Sequence, residues 1–190
     1  MENRHIPYDY RSDVRSLDLL NGITFASKQV LRSDRPIRPL SSRITALYIL
    51  AAINGLFFFA TLYVKGSWLS QEVLLPLRYA LCASAVLWAM QAFNLQKRFN
   101  HICCHDLNAP VESGVFFLDA IGFCDTCSTG EVHKPLWRDF QACVITPEII
   151  VLLFETTTLC CSYSPQVEQA LTSALQERSF GDRVLHRRIA

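Results

Sequence analysis

Two apolar runs close together decide what this chain can fold into. Residues 44–64 carry no charged side chain, and residues 73–93 carry one, Arg78. Each run is long enough for a helix across the hydrocarbon core of a bilayer, which needs about 20 residues at about 1.5 Å each. Only residues 65–72 separate them, and so short a connection folds the two helices back on each other as an antiparallel hairpin. The expectation is a membrane protein built on a hairpin over residues 44–99, with its polar parts gathered on one side. A soluble protein would have to bury both runs in its core, and two such runs back to back are rare there.

The basic residues give the hairpin a direction. Lys28, Arg32, Arg35, Arg38 and Arg43 precede the first span, and Lys97 and Arg98 follow the second. The connection offers only Lys65, opposed by Glu72. Lys and Arg collect on the cytoplasmic side, so both termini are expected there. The polar start (Met1, Glu2, Asn3, Arg4) lacks the layout of a cleavable signal, which leaves the first span as an uncleaved anchor. The net charge of +1 and the 18% charged residues resemble an ordinary soluble domain, because the apolar weight is concentrated in two places.

Residues 1–43 form an expected cytoplasmic segment. Val14, Leu17, Leu20 and Phe25 suit a short amphipathic helix, which Gly22 weakens. Arg35, Pro36, Ile37, Arg38 and Pro39 predict an extended linker near the lipid headgroups. Its arginines either bind anionic lipid or simply flank the span. Within the spans, Ala51 with Gly55 and Ala80 with Ser84 offer close helix approach. Asn54, near mid-membrane, is expected to bond to the other helix or to a second copy of the chain. Arg78 is expected to extend to water, and Pro76 to occupy a first helical turn.

After the second helix the pattern changes to strands. Residues 114–123, 132–137, 141–146, 149–155 and 158–163 predict five strands, with a turn at Ser128, Thr129 and Gly130. Ser164 and Pro165 then start a helix whose Val167, Ala170, Leu171, Ala174 and Leu175 share one face, and Gly181 is expected to stop it. The fold class expected is thus a membrane helical hairpin plus a small α+β domain over residues 100–180. That domain is an antiparallel β-meander capped by its C-terminal helix, and a loose basic tail over 181–190 follows.

This order resembles the YcxB-like bacterial membrane proteins. The residues that carry the resemblance are Asp119-Ala120-Ile121-Gly122-Phe123 (acidic, any, apolar, Gly, apolar) and Pro135-Leu136-Trp137-Arg138-Asp139-Phe140. The apolar stretch 148–154 and the helix start at Ser162-Tyr163-Ser164-Pro165 add to it. The resemblance covers about residues 40–178, and Trp137 is its most specific position. It implies a cytoplasmic domain similar to pleckstrin-homology folds, attached to a hairpin in a bacterial inner membrane, and it brings no catalytic residues. The eight cysteines and the long N-terminal segment depart from the family pattern. Trp137 is expected in the core beside Leu171 or Leu175.

The cysteines are the remaining candidates for chemistry. Cys103, Cys104 and His105 follow the second span, with His101 nearby, and Cys124 and Cys127 form a CxxC pair about 20 residues later. Paired N and S donors from two segments suit zinc, but no glycine follows the second cysteine of the CxxC pair, and a free cysteine is commonly a small buried hydrophobe, which fits Cys143, Cys160 and Cys161. The expectation is no metal and no other cofactor. Acylation of Cys103 and Cys104 is a further option near a membrane. There is no glycine-rich phosphate loop, no HExxH and no basic aromatic surface for nucleic acid. These features favour a non-enzymatic membrane protein whose tethered domain binds a protein partner or a second copy. An immunity protein that blocks a toxin acting at the membrane and a zinc-dependent membrane sensor are the alternatives.

Overall fold

The computed structural model describes residues 4–11, 13–63, 71–106, 112–127 and 132–190. The chain divides into two units, Leu40–His101 and a second built jointly from Met1–Pro39 and Ile102–Ala190.

The second unit begins with a strand that the sequence did not announce. β1 (Arg4–Tyr10) pairs antiparallel with β2 (Glu112–Leu118), in register from Arg4 opposite Leu118 to Tyr10 opposite Glu112. Its alternation is plain in hindsight, with Ile6 and Tyr8 buried and His5, Pro7 and Asp9 exposed. The charged and proline residues of this stretch hid the period. β2 pairs in turn with β3 (Phe123–Cys127), and β3 with β4 (Val132–His133). The second sheet has the order β7-β6-β5-β8, from β5 (Phe140–Ile145), β6 (Ile149–Phe154), β7 (Thr158–Ser162) and β8 (Val184–His186). The five-strand meander expected from the sequence is therefore corrected to two four-stranded sheets, each completed by a strand from a chain end. The expected single strand over 114–123 is a hairpin, β2 and β3, that turns at Asp119–Gly122.

One core lies between the sheets. Ile6, Phe116, Leu118, Phe123, Cys143, Ile150, Leu152 and Cys161 meet there, closed by Val167, Leu171, Ala174 and Leu175 of α5 (Pro165–Glu177). A second core lies on the outer face of β5 and β6. There α1 (Val14–Phe25) and α2 (Ser27–Arg32) bring Leu19, Ile23, Ala26 and Val30 onto Val144, Ile149, Val151 and Leu153. β6 is consequently buried along its whole length, which is why its sequence shows no alternation. Gly22 does not interrupt α1, because it is itself buried in that packing. Asp13 caps the helix by accepting from the Ser16 N–H at 2.6 Å.

The tail is not loose. β8 runs parallel to β5, and beyond it Ile37 and Ile189 form a parallel bridge with bonds of 2.8 and 2.9 Å. Arg187, nearly buried, pairs with Asp34 at 3.2 Å and donates to the Val30 carbonyl at 3.2 Å. The segment read as a lipid-side linker is thus clamped, through Ile37, to the chain's last residues.

The first unit holds α3 (Leu40–Tyr63) and most of α4 (Gln71–Asp106), both long and apolar enough to cross a membrane. Their apolar windows are only 6% buried. Leu56, Phe57, Phe59, Tyr79 and Phe93 point outward, as side chains solvated by lipid do. Three details differ from the sequence reading. Asn54 donates to the Leu50 carbonyl one turn back on its own helix, at 2.8 Å, and not to the other helix. Arg78 donates to the Thr61 carbonyl of α3 at 2.6 Å instead of extending to water. Pro76 lies inside α4, in its second turn, because the helix begins earlier, at Gln71.

Candidate functional site

The two sequence segments that carry the family resemblance fold against each other. Asp119 accepts from the Ile121 and Gly122 N–H groups, each at 2.7 Å, and these bonds hold its carboxyl below the usual aspartate range. Gly122 bridges to Leu136, and a Cβ there would stand 2.6 Å from the Pro135 carbonyl oxygen, so only glycine fits. Trp137 begins a single 3₁₀ turn, not a strand end, and its indole N–H donates to the Asp119 carbonyl at 2.8 Å. Its ring stacks on Phe180 at 5.8 Å, meets Phe123 and Phe140 edge-on, and lies under the Arg178 guanidinium at 5.0 Å. Trp137 is half-buried and packs against the inter-sheet core that holds Leu171 and Leu175, with these aromatics as its ring partners.

Phe180 reaches Trp137 because of how α5 ends. The Phe180 N–H bonds to the Leu175 carbonyl and the Ser179 N–H to the Gln176 carbonyl, with Ser179 at φ 63°. This is a Schellman ending with serine in the left-handed position. Gly181, read as the stop signal, comes two residues too late to be it.

A broad concavity lies along β1. A groove of about 1210 Å³ runs between β1, the end of β7 and the first turns of α5. Pro7, Asp9 and Arg11 line one side, and Tyr163, Gln166 and Ala170 the other. A hydrogen bond to Glu168 holds the Tyr163 phenol above its ordinary range. The Arg11 N–H donates to the Ser162 hydroxyl at 2.9 Å and fixes one end. At the other, Arg4 reaches Ser173 and Glu177 on α5.

Tyr8 forms part of the floor. Its ring stacks on Phe116 at 4.0 Å, and its hydroxyl donates to Asp125 at 2.6 Å. Asp125 is buried, and desolvation raises its pKa, with the Tyr8 bond and nearby His133 working the other way. Gly114 makes the room, since a Cβ there would meet the Tyr8 ring at 2.5 Å. Sequence reasoning missed Tyr8, Gly114 and Asp125. The one available signal was an acid at an inward-facing position of a strand. This floor orders the groove, and the walls offer hydrogen-bonding side chains to an extended ligand.

The zinc donors considered from sequence fall largely outside the described side chains. Cys103, Cys104 and His105 lie on the last turns of α4, and Cys127 ends β3, but the positions of their side chains are outside the described residues, as are those of His101 and the turn at 128–130. Cys124 is a half-buried free thiol in β3. Among the described residues no three metal-ligating side chains cluster. Cys143 and Cys161 are buried thiols in the inter-sheet core, and burial pushes the Cys143 pKa up to about 12 and that of Cys161 higher still. Comparison with protein families, with curated proteins and with solved structures finds no match to this chain.

Proposed function

We propose that this chain is a non-enzymatic integral membrane protein whose helical hairpin tethers a pleckstrin-homology-like domain, and that the domain binds a protein partner or a second copy through the groove along β1. The observation that carries the reading is the pairing of β1 with β2 across the inserted hairpin. Residues before and after the helices build one sheet, so both must lie on the same side of any membrane the helices cross. The basic flanks favour the cytoplasmic side of a bacterial inner membrane. Two sheets closed at one end by a C-terminal helix support the pleckstrin-homology-like description and, with the Trp137 and Asp119 contact, the YcxB-like resemblance. The groove supports the binding role. Its wall is a sheet-edge strand beside a helix, an arrangement that receives extended segments.

Photo-crosslinking in the native membrane tests this. A crosslinker at Gln166 or Pro7 is expected to yield a discrete adduct with a partner or a second copy, and one at exposed Gln141 on β5 is not. Equal labelling from both regions, or none from the groove, refutes the groove as the binding surface. Protease protection of both termini in sealed inverted vesicles would refute the topology.

A further inference from the structure

We propose that the surface formed by α2, the segment after it and the chain's last residues is a docking face for anionic lipid headgroups. The inference rests on the reading of α3 and α4 as membrane spans. Lys28, Arg32, Arg35 and Arg38 are all exposed, and none has an ion-pair partner among the described residues. The one acid between residues 27 and 38, Asp34, is engaged by Arg187. The C-terminal bridge adds a fifth cation. Ile37 bonds to the Arg188 carbonyl at 2.8 Å, with Ile37 buried and Arg38 and Arg188 both turned outward.

Charge and position decide the occupant. Five cations from two distant parts of the sequence share this surface, and Leu31 adds an exposed apolar side chain to it. Cations beside an exposed apolar group suit the boundary between headgroups and acyl chains. A neutral or cationic protein surface offers nothing to such a face. Arg38 is followed after one residue by Leu40, where the first apolar helix starts, so chain connectivity holds it within about 7 Å of that helix's first turn. Each cation close to an anionic surface strengthens association roughly fivefold. The tail clamp therefore has a use beyond packing, because it delivers Arg188 to a face whose other charges lie some 150 residues earlier.

The test uses the full chain in nanodiscs of phosphatidylcholine alone or with about 30% phosphatidylglycerol, followed by amide hydrogen exchange. Exchange over residues 27–38 and 187–190 is expected to slow about threefold or more in the anionic discs, with β6 unchanged. About 0.5 M salt should abolish the difference, because it screens exposed charge. The combined substitution Arg32→Gln, Arg35→Gln and Arg38→Gln should abolish it too, with β6 exchange reporting that the domain is still folded. If the variant unfolds, the salt series on the parent chain decides alone. Equal exchange in the two discs, or protection that survives salt, overturns the docking face. A chain that stays in the aqueous fraction after alkaline extraction overturns the spanning reading and the docking face together, and that result cannot be confused with the first two.

Discussion

Replacing Tyr8 by Phe removes one oxygen and leaves the ring that stacks on Phe116. The loss falls on Asp125, whose carboxylate accepts from that hydroxyl at 2.6 Å inside the sheet sandwich. A hydrogen bond to a buried charged group is worth about 1.5–3 kcal/mol, so Tyr8→Phe should cost that much where Asp125 is ionised. Asp125→Asn acts differently. Desolvation raises the Asp125 pKa in the folded state, so the folded chain holds the proton more tightly than the unfolded one. The stability this proton linkage confers is fully present below the unfolded value of about 3.9 and is lost as pH rises through the raised folded value. An asparagine removes the charge and can still accept from Tyr8. Asp125→Asn should then match or exceed the parent at pH 8, and that advantage should shrink as the pH falls. The assay is the free energy of opening from amide exchange in β2 and β3, measured on the detergent-solubilised chain at pH 5 and pH 8. A double-mutant cycle should give a coupling of about 1–2 kcal/mol at pH 8. Tyr8→Phe within about 0.5 kcal/mol of the parent at pH 8, or strict additivity in the cycle, would refute the argument.

Four further outcomes are expected. Trp137→Ala should destabilise the domain by about 2–3 kcal/mol, below the cost for a fully buried Trp, and should speed exchange at both the 119–122 turn and residues 178–183; unchanged exchange at either place counts against the contact. Ser179→Gly should stabilise it by about 0.5–1 kcal/mol, since glycine accepts φ 63° without strain, which thermal unfolding will show as a rise in midpoint. Gly114→Ala should cost more than about 1 kcal/mol by pushing the Tyr8 ring off Asp125, and pairing it with Tyr8→Ala should recover part of the loss. Arg187→Ala should free residues 187–190, read as faster exchange there with the inter-sheet core unaffected.

The fold was legible wherever neighbouring residues alone carried the pattern of an element. α5 announced itself through five apolar residues at helical spacing, and β5 to β7 through short apolar runs between turn residues. The apolar helices were visible from length alone. What stayed hidden was non-local. β1 carries Pro7, Asp9 and Arg4, residues that argue against a strand unless its partner is known, and that partner is about 100 residues away. The tail was basic, and its role depends on Asp34 and Ile37, which no local pattern connects to Arg187 and Ile189. At the groove, one wall was β1 itself and the other ordinary helix-start residues, and the floor needed Gly114, Tyr8 and Asp125 to be seen together. The unbroken apolar run of β6 was the one missed clue of real weight. A strand buried on both faces needs a second layer, and α1 supplies it.

That second layer bears on how the domain assembles. β1, α1 and α2 are made before the hairpin, and every strand they contact is made after it. Pairing Tyr10 with Glu112 in an unfolded chain closes a loop of about 100 residues, and the entropy of closure grows as about 1.5RT times the logarithm of loop length. A formed hairpin returns the chain toward the point where it left, so residues 40–101 no longer count as free loop. Shortening the loop about threefold lowers the closure cost by about 1 kcal/mol. That is a sizeable share of the few kcal/mol that hold a domain of this size together. On the membrane-spanning reading, inserting the helices is therefore a step in folding the sheet, and β1 completes a domain whose other strands wait on the second helix.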